Sequence, residues 1–94
     1  MSMFDLTGFQ RDLLNFIAGA ERPSGQQIKE SISEHVGEVN HGRLYPNLDT
    51  LVERGLVDKG QHDRRTNYYE ISEEGIAAIE RRRKWEEQYL PFDD

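Results

Sequence analysis

The stretch from Asn40 to Ser72, NHGRLYPNLDTLVERGLVDKGQHDRRTNYYEIS, decides the fold of this chain. Its first half carries apolar residues at intervals of three and four, the spacing that gives a helix one buried face. Gly55 follows the last of them, and glycine most easily adopts the left-handed conformation that ends many helices. The pattern predicts a helix that begins near His41 and stops at Gly55, with a buried face made of Leu44, Leu48, Leu51 and Val52.

The second half of the stretch predicts a β-hairpin. Leu56 to Lys59 and Asn67 to Ile71 are short runs rich in Val, Tyr and Ile, and the polar segment from Gly60 to Thr66 separates them. Because successive side chains of a strand alternate between faces, Tyr69 and Ile71 are expected to point into the core. The hairpin directly follows the helix, which is the layout of a recognition helix and its wing.

Two earlier helices are predicted from capping boxes, in which a Ser or Thr precedes a Gln by three residues. Thr7 with Gln10 predicts a first helix from about Gly8 to Ala18, and Ser24 with Gln27 predicts a second that ends near Gly37. The buried faces are expected to contain Phe9, Leu13, Phe16 and Ile17 in the first helix and Ile28, Ile32 and Val36 in the second.

A last helix is predicted after Ser72, with two apolar faces. Ile76 and Ile79 lie on one face, and Trp85 and Tyr89, four residues apart, lie on a neighbouring one. Two faces suggest two packing partners, namely the domain itself and a second subunit, although Trp85 could instead fold back over the first helix. The basic run at 81–84 is interpreted as a solvated face paired with nearby glutamates. The predicted dimer interface contains Phe4, Leu6, Trp85, Tyr89 and Leu90.

Together these elements predict a mainly α fold with a small β-hairpin, in the order α-α-α-β-β-α of a winged helix-turn-helix. We expect one domain over residues 1–94, with a DNA-binding core at 6–72 and a dimerisation helix at 73–90. A chain this short buries only about 60 to 65% of its unfolded surface, so a partner subunit would help to stabilise it.

The ordered residues also resemble a known family. Leu44-Tyr45-Pro46, Gly55-Leu56-Val57 and Tyr68-Tyr69, with Ser72 and Gly75, are similar to the winged-helix core of PadR-type transcription regulators. The resemblance covers residues 6 to 80. It departs from the family at the start of the second helix, where Ser-Gly-Gln replaces the usual His-Gly-Tyr, and in the short C-terminal helix. The resemblance implies a regulator of transcription and makes a small-molecule effector site at the dimer interface plausible, with Trp85 as a stacking surface.

The start of the recognition helix is the predicted reader of DNA bases. Recognition helices present their N-terminal residues to base edges in the major groove, which here are His41, Gly42 and Arg43. Arginine can bond O6 and N7 of guanine together, and Asn47 could pair similarly with adenine. If His41 or Gly42 is close to the N-cap, Pro46 falls in or beside the first turn, where its missing N–H costs little.

Two other segments are predicted to position the duplex. The wing is expected to hold the DNA backbone or to enter the minor groove, and the second helix is expected to offer free N–H groups to a phosphate. For each segment the alternative is a merely solvated loop tip or helix end. Tyr45 is expected to pack between the second and third helices rather than to contact phosphate. The positioning residues are Gln26 and Gln27 in the helix and Arg64, Arg65, Thr66 and Tyr68 in the wing.

The charge balance opposes a nucleic-acid binder at long range, because the formal net charge is -6. Residues 39–72 nevertheless hold five acidic and five basic residues, so the predicted DNA face is the least acidic third of the chain. Nine Arg against three Lys, with 18 acidic residues, resembles the composition of proteins from salt-loving archaea. The rival function is a winged-helix adaptor that binds proteins and not DNA.

Several classes of function are not supported by the sequence. The chain has no cysteine and no apolar run of the ~20 residues that a membrane span requires, so we expect a cytoplasmic protein without disulfides. No catalytic motif is visible, and His35, His41 and His62 are too scattered to suggest a metal site. We therefore expect no enzyme and no cofactor. The favoured function is a homodimer that binds double-stranded DNA at a pseudo-palindromic operator and represses transcription.

Overall fold

The computed structural model describes residues 3–90 and Phe92. After a short 3-10 turn at Met3–Asp5, the elements follow in the predicted order, α-α-α-β-β-α. They are α1 (Gly8–Gly19), α2 (Gly25–Val36), α3 (His41–Glu53), β1 (Val57–Gln61), β2 (Asn67–Ile71) and α4 (Glu73–Glu87). No helix within these residues is long and apolar enough to cross a membrane.

Both predicted capping boxes are present. The Thr7 hydroxyl accepts from the Gln10 backbone N–H, and the Gln10 side chain accepts from the Thr7 N–H, each at 3.1 Å. Ser24 and Gln27 make the same pair of bonds at 3.1 and 2.8 Å. Each box satisfies two N–H groups that a helix start leaves without partners. These short sequence signatures therefore set where α1 and α2 begin.

Helix α3 begins at His41, as predicted, and its N-cap is Asn40, whose side chain accepts from the Arg43 N–H at 2.9 Å. Asparagine is among the strongest N-cap residues because its short amide reaches the first free N–H groups. With the cap at Asn40, Pro46 is the sixth helical residue and lies just beyond the first turn. It therefore cannot supply the N–H that would bond the Gly42 carbonyl, so the missing bond falls inside the helix.

The end of α3 confirms the predicted glycine stop. Gly55 has a φ of +76°, and the Leu56 and Gly55 N–H groups bond the carbonyls of Leu51 and Val52, each at 3.0 Å. This pair of bonds is the Schellman arrangement, which satisfies the last carbonyls of a helix and reverses the chain. The turn delivers the chain directly into β1.

The hairpin is antiparallel, with Val57 opposite Ile71 and Gln61 opposite Asn67. Strand β1 extends two residues further than predicted, so the wing loop is shorter, spanning 62–66. A third segment joins the sheet, because the Tyr69 N–H donates to the Pro23 carbonyl at 2.9 Å. As predicted from the alternation, Tyr69 is 1% exposed, and burial raises the pKa of its hydroxyl to about 12.

One hydrophobic core joins the helices to the hairpin, and two residues expected in it lie outside. Val36, the last residue of α2, is 42% exposed, and Ile76 in α4 is 45% exposed. Helix α4 instead packs through Gly75 and Ala78, because it approaches the Leu56 carbonyl too closely for a Cβ at Gly75. The core contains Met3, Leu6, Leu13, Leu14, Ile17, Ile28, Ile32, Val39, Leu44, Leu48, Leu51, Leu56, Val57, Tyr69 and Ala78.

Candidate nucleic-acid interface

The first turn of α3 is exposed at His41, Gly42 and Arg43. The Arg43 guanidinium lies over the ring of Phe9 in α1, with its central carbon 3.9 Å from the ring centroid. Within residues 3–90 and Phe92 this guanidinium forms no salt bridge. Arg43 is therefore a charged group held by an aromatic face and not neutralised by a carboxylate.

Asn47 is half-buried, and its amide is committed inside the protein. Its NH2 group donates to the Arg43 carbonyl at 2.7 Å, and its Oδ1 accepts from the Gln10 side chain at 2.9 Å. The bidentate pairing with adenine suggested by the sequence would need these same two edges of the amide. In this structure Asn47 ties α3 to α1, and we do not carry it forward as a base reader.

Tyr45 packs between α2 and α3, as the sequence suggested. A Cβ at Gly25, the first residue of α2, would come within 2.5 Å of the Tyr45 hydroxyl, so this position requires glycine. The His41 ring lies 5.4 Å from the Tyr45 ring, tilted by 51°. The starts of α2 and α3 are thus fixed to each other by one aromatic side chain.

The two glutamines at the start of α2 are exposed, but parts of their amides are already used. Gln27 gives its oxygen to the Ser24 N–H in the capping box, and the Gln26 NH2 donates to Glu30 at 3.0 Å. The Gln27 NH2 and the Gln26 oxygen point to no hydrogen-bond partner among the described residues. Of these two groups only the NH2 can donate to a phosphate, so Gln27 suits a phosphate contact better than Gln26.

The tip of the wing is ordered by Asp63, which the sequence analysis did not single out. Its Oδ1 accepts from the Arg65 and Thr66 N–H groups at 2.8 and 2.9 Å, and these bonds, led by that from Arg65, hold the pKa of the carboxyl below its usual value of 3.8. An aspartate that bonds backbone N–H groups two and three residues later is a common turn signal and could have been noticed. Because its carboxylate faces the backbone, the side chains of Arg64 and Arg65 remain exposed.

The base of the wing is held by a cluster around Tyr68. The His62 ring lies 4.8 Å from the Tyr68 ring, and the Arg22 guanidinium lies 5.0 Å from its centroid. Tyr68 is half-buried and also covers Gly60, so it supports the wing more than it faces solvent. The sequence pattern predicted it as a DNA contact; the structure places it beneath the wing surface.

Arg22 completes that cluster and was missed in the sequence. Its Nε donates to Glu70 at 3.1 Å, and this bond raises the pKa of the guanidinium. Its φ of +45° is unusual for a residue other than glycine, and its carbonyl lies 3.3 Å from the His62 Nε2. No local pattern predicts a bond between residues 48 positions apart. Arg22 therefore anchors the wing to the α1–α2 connection.

These segments meet on one side of the molecule. A single depression is lined by the start of α2, by Tyr45 of α3 and by the wing residues Arg65 and Thr66, with Gln26 at its edge. Arg43 lies on the opposite flank of the α3 start, against α1. The first turn of α3 is therefore bordered by the wing on one side and by the Arg43–Phe9 pair on the other.

The outward line of α3 becomes acidic beyond its first turns. Gly42, Pro46, Asp49 and Glu53 recur at intervals of four, three and four, opposite the buried leucines, and all four are exposed. Carboxylates on this line repel phosphates, so DNA contacts by α3 are expected to concentrate at its first turn. The sequence analysis overlooked this, although the spacing alone could have shown it.

The residues predicted for a dimer interface separate into two groups. Phe4, Trp85, Tyr89 and Leu90 are between 40% and 66% exposed, whereas Leu6 is 4% exposed and belongs to the core of its own chain. Leu6 therefore leaves the proposed interface, because almost none of its surface remains for a partner.

Trp85 does not fold over α1, which was the alternative left open by the sequence. It meets the Phe4 ring edge-on, with centroids 5.0 Å apart, and lies 5.3 Å from the Tyr89 ring. The Arg82 guanidinium covers both Phe4 and Trp85 at about 5 Å. Arg82 also pairs with Glu86, four residues later, at 3.4 Å. An exposed aromatic patch made of Phe4, Trp85 and Tyr89 therefore joins the chain's N-terminal turn to the end of α4.

Comparisons with solved structures place this arrangement among winged-helix regulators. RosR from the haloarchaeon H. salinarum, in the complex hsRosR-S1, is 45% identical, with a TM-score of 0.87 over 96% of this chain and 80% of that chain. A mutant MarR from E. coli, complexed with operator DNA, is 28% identical, with a TM-score of 0.73 over 83% of this chain and 54% of that chain. Streptococcus pneumoniae FabT in complex with DNA, at 18% identity and a TM-score of 0.72 over 93% and 60% of the two chains, shares the fold.

Sequence comparison gives the family directly. No protein of curated function matches the chain. The profile of the Transcriptional regulator PadR-like family matches residues 13–81, which run from the middle of α1 into α4. The matched region contains α2, α3 and the wing, and the resemblance to PadR-type regulators is confirmed. The chain belongs to the PadR-like family of transcriptional regulators.

Proposed function

We propose that this chain acts as a homodimer that binds double-stranded DNA at a pseudo-palindromic operator and represses transcription by occupying a promoter. Its place of action is the cytoplasm. The first turn of α3 reads base edges through His41, Gly42 and Arg43, and the wing and the start of α2 fix the duplex through its backbone.

One observation carries the proposal: the start of α2, Tyr45 of α3 and the wing line the same depression. A duplex whose major groove receives the first turn of α3 would bring its backbone against Gln27 on one side and Arg65 on the other. Such backbone contacts fix register and orientation, while contacts to base edges give specificity. The positioning group is Gln26, Gln27, Arg64, Arg65 and Thr66.

The wing arginines are suited to phosphate because nothing nearby neutralises them. Asp63 is the closest carboxylate in sequence, and it spends its oxygen on backbone N–H groups. The two guanidiniums consequently remain available for charge-assisted bonds to phosphate oxygens, which are stronger than neutral hydrogen bonds. This local arrangement offsets the net charge of -6 at the contact.

The homodimer is supported by the exposed aromatic patch. Trp and Tyr are enriched in the buried centres of interfaces, and Trp85 and Tyr89 are 40% and 66% exposed in the single chain. In a two-fold dimer the patch of one protomer would meet the same patch of its partner. Two recognition helices related in this way would enter successive major grooves, about 34 Å apart.

A small-molecule effector forms part of the proposal at the same end of the molecule. A depression between α1 and α4 is lined by Met3, Arg11, Ile79 and Arg82, and Arg82 is the residue that covers Phe4 and Trp85. A ligand there would touch the residues that hold the aromatic patch. Titrating the fluorescence of Trp85 with candidate anionic and aromatic compounds would detect it.

The proposal is tested by selecting bound duplexes from a random pool. We expect enrichment of an inverted repeat whose half-site centres lie about one helical turn apart, as two-fold symmetry requires. Enrichment of a single half-site would contradict the dimer. Failure to enrich any sequence would contradict specific recognition.

The rival function is a winged-helix adaptor for proteins, which the net charge favours. A gel shift against random duplex DNA across a series of salt concentrations distinguishes the two. A regulator binds and loses affinity as salt rises, because binding releases counterions from phosphates. An adaptor binds DNA at no salt concentration.

A further inference from the structure

The Arg43–Phe9 contact gives α1 a place in DNA recognition. We propose that Phe9 and Gln10 are positioning residues that set the base preference of Arg43; this inference depends on the proposed DNA-binding function. Both lie in the first turn of α1, more than thirty residues before the recognition helix in the sequence.

The contact between the side chains comes first. At 3.9 Å from the ring centroid, the Arg43 guanidinium is close enough to stack on the face of Phe9. Guanidinium is planar and carries its N–H donors in the plane, so a ring against one face leaves the donor edge available. That edge is the one that bonds O6 and N7 of guanine together.

The backbone of Arg43 is fixed from the same side. Its N–H donates to the Asn40 cap at 2.9 Å, and its carbonyl accepts from the Asn47 NH2 at 2.7 Å. Asn47 in turn accepts from the Gln10 side chain at 2.9 Å. Gln10, which is only 8% exposed, gives its own oxygen to the N–H of Thr7 in the α1 capping box. A continuous chain of hydrogen bonds thus runs from the start of α1 to the first turn of α3.

Together these contacts hold Arg43 in place before any DNA is present. A free arginine side chain on the surface loses rotamer freedom when it binds, and a side chain that is already ordered loses less. The benefit falls on the base that accepts both donors of the ordered edge. Phe9 should therefore affect discrimination at one base pair and leave binding to the DNA backbone unchanged.

The test uses the duplex that the wild-type chain selects from a random pool, and the three duplexes with other base pairs at the position where Arg43→Ala loses preference. Phe9→Leu should lower the preference for the selected base pair by about two- to fivefold, as expected for loss of an exposed cation–π contact. Phe9→Tyr keeps the ring and should keep the preference. In an Arg43→Ala background, Phe9→Leu should cause no further change in preference.

Phe16→Leu is the matched control, because Phe16 is another half-buried ring of α1 that packs on the core. It should lower stability without altering base preference, which separates positioning from a loss of packing. If Phe9→Leu keeps the full wild-type preference, or if Phe16→Leu changes preference equally, the inference is overturned. If the wild-type chain itself prefers no sequence, the proposed function fails before the inference is reached.

Discussion

Replacing Arg64 with Ala should reduce the salt dependence of DNA binding by an amount that can be calculated. The side chain is exposed at the tip of a wing loop held by Asp63, so its removal should leave the fold intact. Each phosphate contact contributes about 0.9 to the slope of log K against log salt. Between about 50 and about 200 mM salt, one lost contact should make the fall in affinity roughly 3.5-fold smaller than in the wild type.

The assay is a fluorescence anisotropy titration on the selected duplex and on a random duplex at several salt concentrations. Lys84→Ala is the control, because it removes the same charge from an exposed position on α4, away from the proposed interface. Arg64→Ala should weaken both duplexes alike, and Lys84→Ala should leave the slope unchanged. Equal slopes for the two variants would refute a wing contact and would assign the effect to net charge.

Three further predictions concern the fold, the dimer and the wing. Gly75→Ala should lower the free energy of unfolding by about 1 to 3 kcal/mol through overpacking against a main-chain carbonyl, whereas Gly19→Ala, with open space around it, should raise that free energy by up to about 1 kcal/mol in urea denaturation. Trp85→Ala should weaken self-association at least about tenfold in sedimentation equilibrium, and Ile76→Ala, also exposed on α4, should not; equal effects would disprove the aromatic interface. Because the pKa of Asp63 is lowered, its stabilising bonds are present above pH 3.8 and are lost as the pH falls through the lowered value. NMR shifts of the two wing-tip N–H groups that it accepts from should follow that titration, and shifts that remain constant would contradict the bond.

Much of the fold was predictable because its signals are local. The capping boxes at Thr7 and Ser24, the glycine stop at Gly55 and the alternation around Tyr69 each depend on residues within a few positions of one another. The structure and the family confirm these elements, and the family also supports the prediction that the chain is not an enzyme. The cap of α3 was predicted only approximately, because Asn40, His41 and Gly42 are adjacent candidates and the structure shows that the Asn40 side chain reaches the Arg43 N–H.

The site was less predictable because its contacts join residues distant in sequence. Asn47 looked free to read adenine, but Gln10, 37 positions away, takes its oxygen. Arg22 reaches Glu70 across 48 positions, and Ile76 turned outward because Gly75 lets α4 approach the backbone of the hairpin. Residue types and helical spacing indicate which side chains are exposed on one element, but they do not indicate which partners another element brings to them.

The central claim is that the first turn of α3 and the wing contact the same duplex. Because the chain has no cysteine, a single one can be introduced at His41 or at Arg64 and joined to an iron–EDTA cleaving group. On the selected duplex, the reagent at His41 should cut within one major groove, and the reagent at Arg64 should cut within a few base pairs of that groove on the adjacent backbone. Cleavage from only one of the two positions, or from sites separated by more than a helical turn, would contradict the account.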